Sequence, residues 1–119
     1  MTAHDLKISY RVPEQAIREV ARQIVAKFGP EQIILFGSHA YGEPGPTSDV
    51  DLLVVMDSPQ RNVEQAIIIA RAIEYHFGLD LMVRRPRQLA ERIALGDFFL
   101  SDVVEKGKVL YERARAGVD

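Results

Sequence analysis

Apolar residues along the chain fall into runs whose spacing alternates between helical and strand-like. After Pro13, the residues Ile17, Val20, Ala21, Ile24, Val25 and Phe28 recur at three- and four-residue steps. This predicts a helix through "EQAIREVARQIVAKF" that stops at Gly29. "QIILFG" is short and wholly apolar before its glycine, as expected of a buried strand ending at Gly37. The stretch from Ser38 to Ser48 holds two glycines and two prolines, so its middle cannot be regular. "DVDLLVVM" reads as a second strand, "RNVEQAIIIARAIEYHFG" as a long helix ending at Gly78, and "LDLMVRR" as a third strand. Pro86 opens a further helix with Leu89, Ile93 and Ala94 on one side. "DFFLSDVVEKG" follows as a last short helix, and "KVLYER" as a final strand or extended tail. Strands alternating with helices predict an α/β (α+β) fold, a sheet with helices packed on it.

A length of 119 residues supports a single domain over residues 1–119, with no repeat, linker or low-complexity tract to divide it. Apolar residues make up 47% and charged residues 27%, an ordinary balance for a globular protein. The absence of cysteine excludes disulfides and thiolate metal sites. No apolar run reaches the ~18 residues of a membrane span, and "MTAHDLKISY" lacks the core of a signal peptide. A cytoplasmic protein with no membrane partner is the expectation. A net charge of −2 and a pI of about 5.9 argue against direct nucleic-acid binding, which needs a broad basic face. "RRPR" at Arg84–Arg87 is a local exception.

Charge changes the picture most at the second strand. It begins with Asp49 and Asp51, one residue apart, yet continues as Leu52-Leu53-Val54-Val55. Carboxylates at i and i+2 of a strand point the same way, with Cα atoms roughly 6.5–7 Å apart. From Phe28 through Gln60 there is no Lys or Arg, while Glu31, Glu43, Asp49, Asp51 and Asp57 all fall inside. A carboxylate flanked by Val50 and Leu52 in a strand apolar on both faces is costly without a partner. Asp80 repeats the anomaly in the third strand, and adjacent strands would bring it beside the pair. Gly37 and Ser38, at the end of the first strand, would let backbone N–H groups and a hydroxyl approach an anion, the more so if "SHAY" begins a helical turn.

Each feature alone has an ordinary explanation: strand–Gly–Ser turns are common, Asp49 can cap a turn, and Asp80 can begin a strand in solvent. Together, three strand aspartates and a Gly-Ser loop read as a two-metal phosphoryl- or nucleotidyl-transfer site. Mg²⁺ is the hard cation that suits such oxygens and a substrate phosphate.

Gly37-Ser38, ten residues, then Asp49-Val50-Asp51 and a later strand aspartate resemble the nucleotidyltransferase fold of the DNA polymerase β superfamily. Within it, the chain is similar to the minimal nucleotidyltransferases, antitoxins of two-gene modules whose toxin is a HEPN-domain ribonuclease. The resemblance implies a small mixed β-sheet flanked by helices. It implies that Gly37 and Ser38 hold the β- and γ-phosphates of ATP, and that Asp49 and Asp51 ligate two Mg²⁺ ions. Asp80 would ligate the catalytic ion and act on the acceptor hydroxyl. It further implies transfer of AMP from ATP to a tyrosine of the HEPN toxin. Two positions depart from the pattern: His39 and Tyr41 stand where many relatives have arginine, which leaves fewer cations for the phosphates.

Other residues read as structural. His39 is expected as a neutral loop residue, His4 and His76 lack ligand spacing, and Tyr41 either stacks on a base or packs over its own loop. Arg84 could lie on the site's face or end a solvated strand. Two further functions stay in view. One is a non-catalytic antitoxin that covers its toxin; the other is transfer to a small molecule such as an antibiotic, by a dimer sharing a pocket. The oligomeric state, a homo-oligomer included, is left open.

Overall fold

The computed structural model describes residues 9–114. Helix α1 (Glu14–Phe28) leads into β1 (Gln32–Phe36), a short helical turn α2 (Ser38–Tyr41), and β2 (Val50–Val55). Helix α3 (Asn62–Ala72), β3 (Leu79–Arg84), α4 (Pro86–Ala94), α5 (Phe98–Lys106) and β4 (Lys108–Glu112) follow. The strands form one sheet in the order β3-β2-β1-β4. β1 pairs antiparallel with both β2 and β4, and β2 pairs parallel with β3, so the sheet is mixed.

Side-chain alternation divides the core. On one face Ile33, Leu35, Leu52, Val54 and Val83 meet Ile17, Val20, Ala21 and Ile24 of α1 and Ile69 of α3. On the other, Ile34, Phe36, Leu53 and Val55 meet Leu89 of α4 and Leu100 and Val103 of α5. β2 is covered on both sides, which explains its unbroken apolar run. Each fully buried Leu or Val there contributes about 1.5–3 kcal/mol. Asp51 belongs to the row of Leu53 and Val55, so the carboxylates lie on the α4–α5 face.

Most predicted elements form where the pattern puts them. Gly29 ends α1 in the left-handed region, at φ 56°. "SHAY" does begin a helical turn, and "KVLYE" is a true strand because β1 offers it a free edge. The long helix predicted through Phe77 is shorter: α3 stops at Ala72, and Ile73 turns extended into the core. Partners from α1 hold the departing chain. Lys27 donates to the Ala72 carbonyl, while the Gln23 amide bonds both the N–H (2.8 Å) and the carbonyl (2.9 Å) of Glu74. These replace the helical bonds that residues 73–77 forgo. On α4, Leu89 is buried and Ile93 partly so, but Ala94 is exposed rather than inward. Among the described residues, no helix is long and apolar enough to cross a membrane. His4 lies outside the described residues.

Candidate active site

The end of β1, the start of β2 and the start of β3 meet at one edge of the sheet. Phe36 is in register with Asp51 across the antiparallel pair, and Asp51 with Asp80 across the parallel pair. Register partners point to the same face, so Asp51 and Asp80 stand side by side on strands about 4.8 Å apart. Asp49 lies just before β2, two residues from Asp51. The structure thus brings together the three acids that the sequence singles out. Asp49 and Asp80 are exposed and Asp51 is half-buried.

Their charges act on one another. Burial holds the Asp51 carboxyl above its ordinary range, and the neighbouring Asp80 and then Asp49 push it the same way, while His39 opposes them. Among the described residues, none of the three carboxylates makes a salt bridge.

Two glycines make room for this arrangement. Gly37 has φ 76°, and a Cβ there would lie 2.2 Å from Oδ2 of Asp51. A Cβ on Gly78 would lie 2.0 Å from Oδ1 of Asp49. Each glycine is therefore a seat for a carboxylate. Gly78 also accepts a 2.8 Å hydrogen bond from the Val50 N–H, which fixes the chain between the two acids.

The donor set is all carboxylate oxygen, hard and anionic, as Mg²⁺ requires. Among the described residues, no three His, Cys, Asp or Glu side chains are drawn into a ready-made metal cage. That is compatible with Mg²⁺, which usually takes one or two carboxylates and completes its shell with water and substrate phosphate.

The turn after Gly37 is anchored on both sides. The Gly37 carbonyl accepts from the N–H groups of Ala40 (3.0 Å) and Tyr41 (3.2 Å). The Arg11 guanidinium donates to the carbonyls of His39 (2.9 Å) and Gly42 (2.7 Å). His39, expected as a neutral loop residue, is buried at 4% exposure, with Nδ1 3.1 Å from the Asp49 carbonyl oxygen. Tyr41 is half exposed rather than packed over its loop. In "RRPR", Arg85 holds the loop after β2 through the carbonyls of Ser58 (3.1 Å) and Gln60 (2.7 Å), a structural duty. Arg84 lies on the face of Asp80, and both line a groove of about 410 Å³ along the free edge of β3. Val63, Ala66 and Ile67 of α3 form its other wall.

Sequence reasoning did not assign Gly78, Arg11 or His39 to the site. Gly78 carries one signal, its place directly before the strand that bears Asp80. Arg11 carries none, being 28 residues from the carbonyl it holds.

A family model described as "Nucleotidyltransferase domain" matches residues 17–111. No protein of curated function matches the sequence. Among solved structures, the chain is similar to a Sulfolobus solfataricus protein described as a candidate nucleotidyltransferase. The TM-score is 0.58 at 20% identity, over 83% of this chain and 79% of that one. It is also similar to a chain of a mutant toxin–antitoxin complex, MntA-HpeT. There the TM-score is 0.51 at 24% identity, over 86% of this chain and 75% of that one.

Proposed function

Because the chain belongs to the nucleotidyltransferase domain family, we propose that it is an Mg²⁺-dependent enzyme that transfers AMP from ATP to a hydroxyl of a partner protein toxin. The observation that carries this reading is the row Asp51–Asp80 with Asp49 beside it, at the mouth of the Gly37–Ser38 turn. In this reading Gly37 and Ser38 bind the β- and γ-phosphates. Asp49 and Asp51 hold two Mg²⁺ ions, and Asp80 holds one of them. When bound, these ions neutralise the triphosphate and lower the charge barrier to attack.

The acceptor oxygen attacks the α-phosphorus, the bond from that phosphorus to the β-phosphate oxygen breaks, and pyrophosphate leaves. Asp80, exposed and lining the open groove, takes the hydroxyl proton. Asp51, half-buried and seated over Gly37, is fixed in direction and serves as a ligand. Orientation of the two reactants supplies much of the rate enhancement.

Two observations support a protein acceptor. The groove beside Asp80 is walled by the exposed aliphatics Val63 and Ile67. Beyond it, at the α4–α5 corner, Leu95 is 82% and Phe98 89% exposed, and Phe99 meets Phe36 edge-on with ring centroids 5.8 Å apart. Apolar surface of this kind marks protein contacts. The similar toxin–antitoxin mutant carries two aspartate-to-glutamate changes two positions apart, the spacing of Asp49 and Asp51. We assign the partner to the HEPN class and the acceptor to a tyrosine, and the setting to the cytoplasm.

The test is direct. The purified chain is incubated with Mg-ATP and the protein encoded by its neighbouring reading frame, and the neighbour's intact mass is measured. Addition of AMP units supports the proposal; an unchanged mass with full neutralisation supports antitoxin action by covering alone. The second outcome has one feature in its favour, the replacement of phosphate-binding arginines by His39 and Tyr41.

A further inference from the structure

The buried imidazole of His39 takes no part in the chemistry above, yet it joins the two halves of the site. Its Nδ1 lies 3.1 Å from the backbone carbonyl of Asp49. A carbonyl oxygen can only accept, so Nδ1 carries a proton. Nε2 is buried and, among the described residues, has no hydrogen-bond partner. An unpartnered buried nitrogen costs stability, and a leucine would fill the space without that cost. What leucine could not supply is the N–H aimed at Asp49.

That bond completes a closed set of contacts. From outside the turn, Arg11 holds the carbonyls of His39 and Gly42 at 2.9 and 2.7 Å. From inside, His39 ties the same turn to Asp49. The Asp49 carboxylate sits over Gly78, and the next N–H, that of Val50, is bound by the Gly78 carbonyl at 2.8 Å. Ser38 and Asp49 are ten loop residues apart in the chain, with two glycines and two prolines between them. Without a cross-tie their separation would be set by that loop alone.

We propose that His39 is a positioning residue: through Nδ1–H and the Asp49 carbonyl it fixes the distance between the Gly37–Ser38 turn and the carboxylates, and Arg11 locks the turn in that place. The catalytic meaning rests on the transferase reading; the clamp itself does not. A phosphate-to-metal-ligand distance held in this way sets how well a nucleotide bridges the two, and loss of comparable supporting contacts costs about 10–100-fold in affinity or activity.

Two measurements test it. In wild-type protein at mildly alkaline pH, ¹⁵N NMR of the imidazole should show the Nδ1–H tautomer with a slowly exchanging proton; an Nε2–H tautomer overturns the proposal. Next, His39→Leu is compared with His39→Asn, whose side-chain N–H₂ can reach the same carbonyl. His39→Leu should lower kcat by about 10–100-fold with a smaller change in the KM for ATP, and should speed amide exchange at Gly42 and Val50. His39→Asn should restore most of both. Equal behaviour of the two variants overturns the proposal, since a packing role would not favour asparagine. If His39→Leu does not fold, Arg11→Ala replaces it, with faster exchange at Ala40 and Gly42 as the expected result and unchanged exchange as the contrary one. Absence of transfer by the wild-type protein would remove the enzymatic reading, while tautomer and exchange would still decide the clamp.

Discussion

Asp51 and Asp80 occupy matched positions on parallel neighbouring strands, on one face, and the Asp80 charge adds to burial in holding the Asp51 carboxyl above its ordinary range. No Lys or Arg lies between Lys27 and Arg61 around Asp51, and among the described residues neither carboxylate makes a salt bridge. The fold holds a repulsion that a cation from outside would relieve.

Replacing Asp51 with Asn tests that repulsion. With the Asp51 carboxyl held above its ordinary range, the folded state binds its proton more tightly than the unfolded state does. Its contribution to stability therefore falls as pH rises from the usual carboxylate range through the raised folded value, and the penalty is complete above it. In chelator at neutral pH, Asp51→Asn should melt higher than wild type, and the advantage should shrink as pH drops from the raised folded value to the ordinary carboxylate range and be gone below it. Thermal unfolding across pH measures this. A variant that melts lower at neutral pH would count against the electrostatic account.

Mg²⁺ should reverse the order. Wild-type protein should gain melting temperature on titration with Mg²⁺ and ATP together, by mass action on the folded state. Asp51→Asn should gain little and should transfer no AMP. Near wild-type transfer by the variant would sink the metal-ligand role.

Gly78→Ala places a methyl group where Oδ1 of Asp49 now lies, 2.0 Å from the new carbon. The backbone at Gly78 is not in the left-handed region, so the cost falls on the carboxylate rather than on the chain. Transfer should drop by about 100-fold, the scale of a misplaced catalytic group, with a far smaller loss of stability. Gly37→Ala meets Asp51 at 2.2 Å and must also adopt φ 76° with ψ −160°, so it should lose both activity and stability, the backbone strain alone costing about 1–3 kcal/mol. Paired kinetics and denaturant melts separate the two cases.

Ser38→Ala removes one hydroxyl from the turn that faces the phosphates. A charge-assisted hydrogen bond contributes about 1.5–3 kcal/mol, so kcat/KM for ATP should fall by about 10–150-fold. Unchanged turnover would return Ser38 to the role of an ordinary turn residue.

Covalent action and covering differ in what persists. A toxin carrying AMP should stay inactive after this protein is removed, whereas a covered toxin should recover on dissociation. Asp51→Asn sharpens the comparison because it keeps the docking surface. Equal neutralisation by variant and wild type at the same stoichiometry would make catalysis dispensable.

The sequence by itself determined the elements whose signals are local. Short apolar runs marked β1, β2 and β3, a period-3.6 pattern marked α1, and the glycine after Phe28 marked a helix end. The three acids were legible for a related reason: a carboxylate between Val50 and Leu52, or between Leu79 and Leu81, contradicts its surroundings and so stands out. Tertiary structure decided what depends on distant partners. Residues 73–77 have helical spacing, but Gln23 and Lys27 of α1 bind their backbone and Ile73 is drawn into the core, so the helix stops early. His39 reads as a loop residue because it lies in a Gly- and Pro-rich stretch; its partners, the Asp49 carbonyl and Arg11, lie 10 and 28 residues away. Gly78 gained its meaning only when parallel pairing laid it against Asp49. A local pattern reports which face a residue prefers, whereas its partner across the sheet depends on how the strands are ordered.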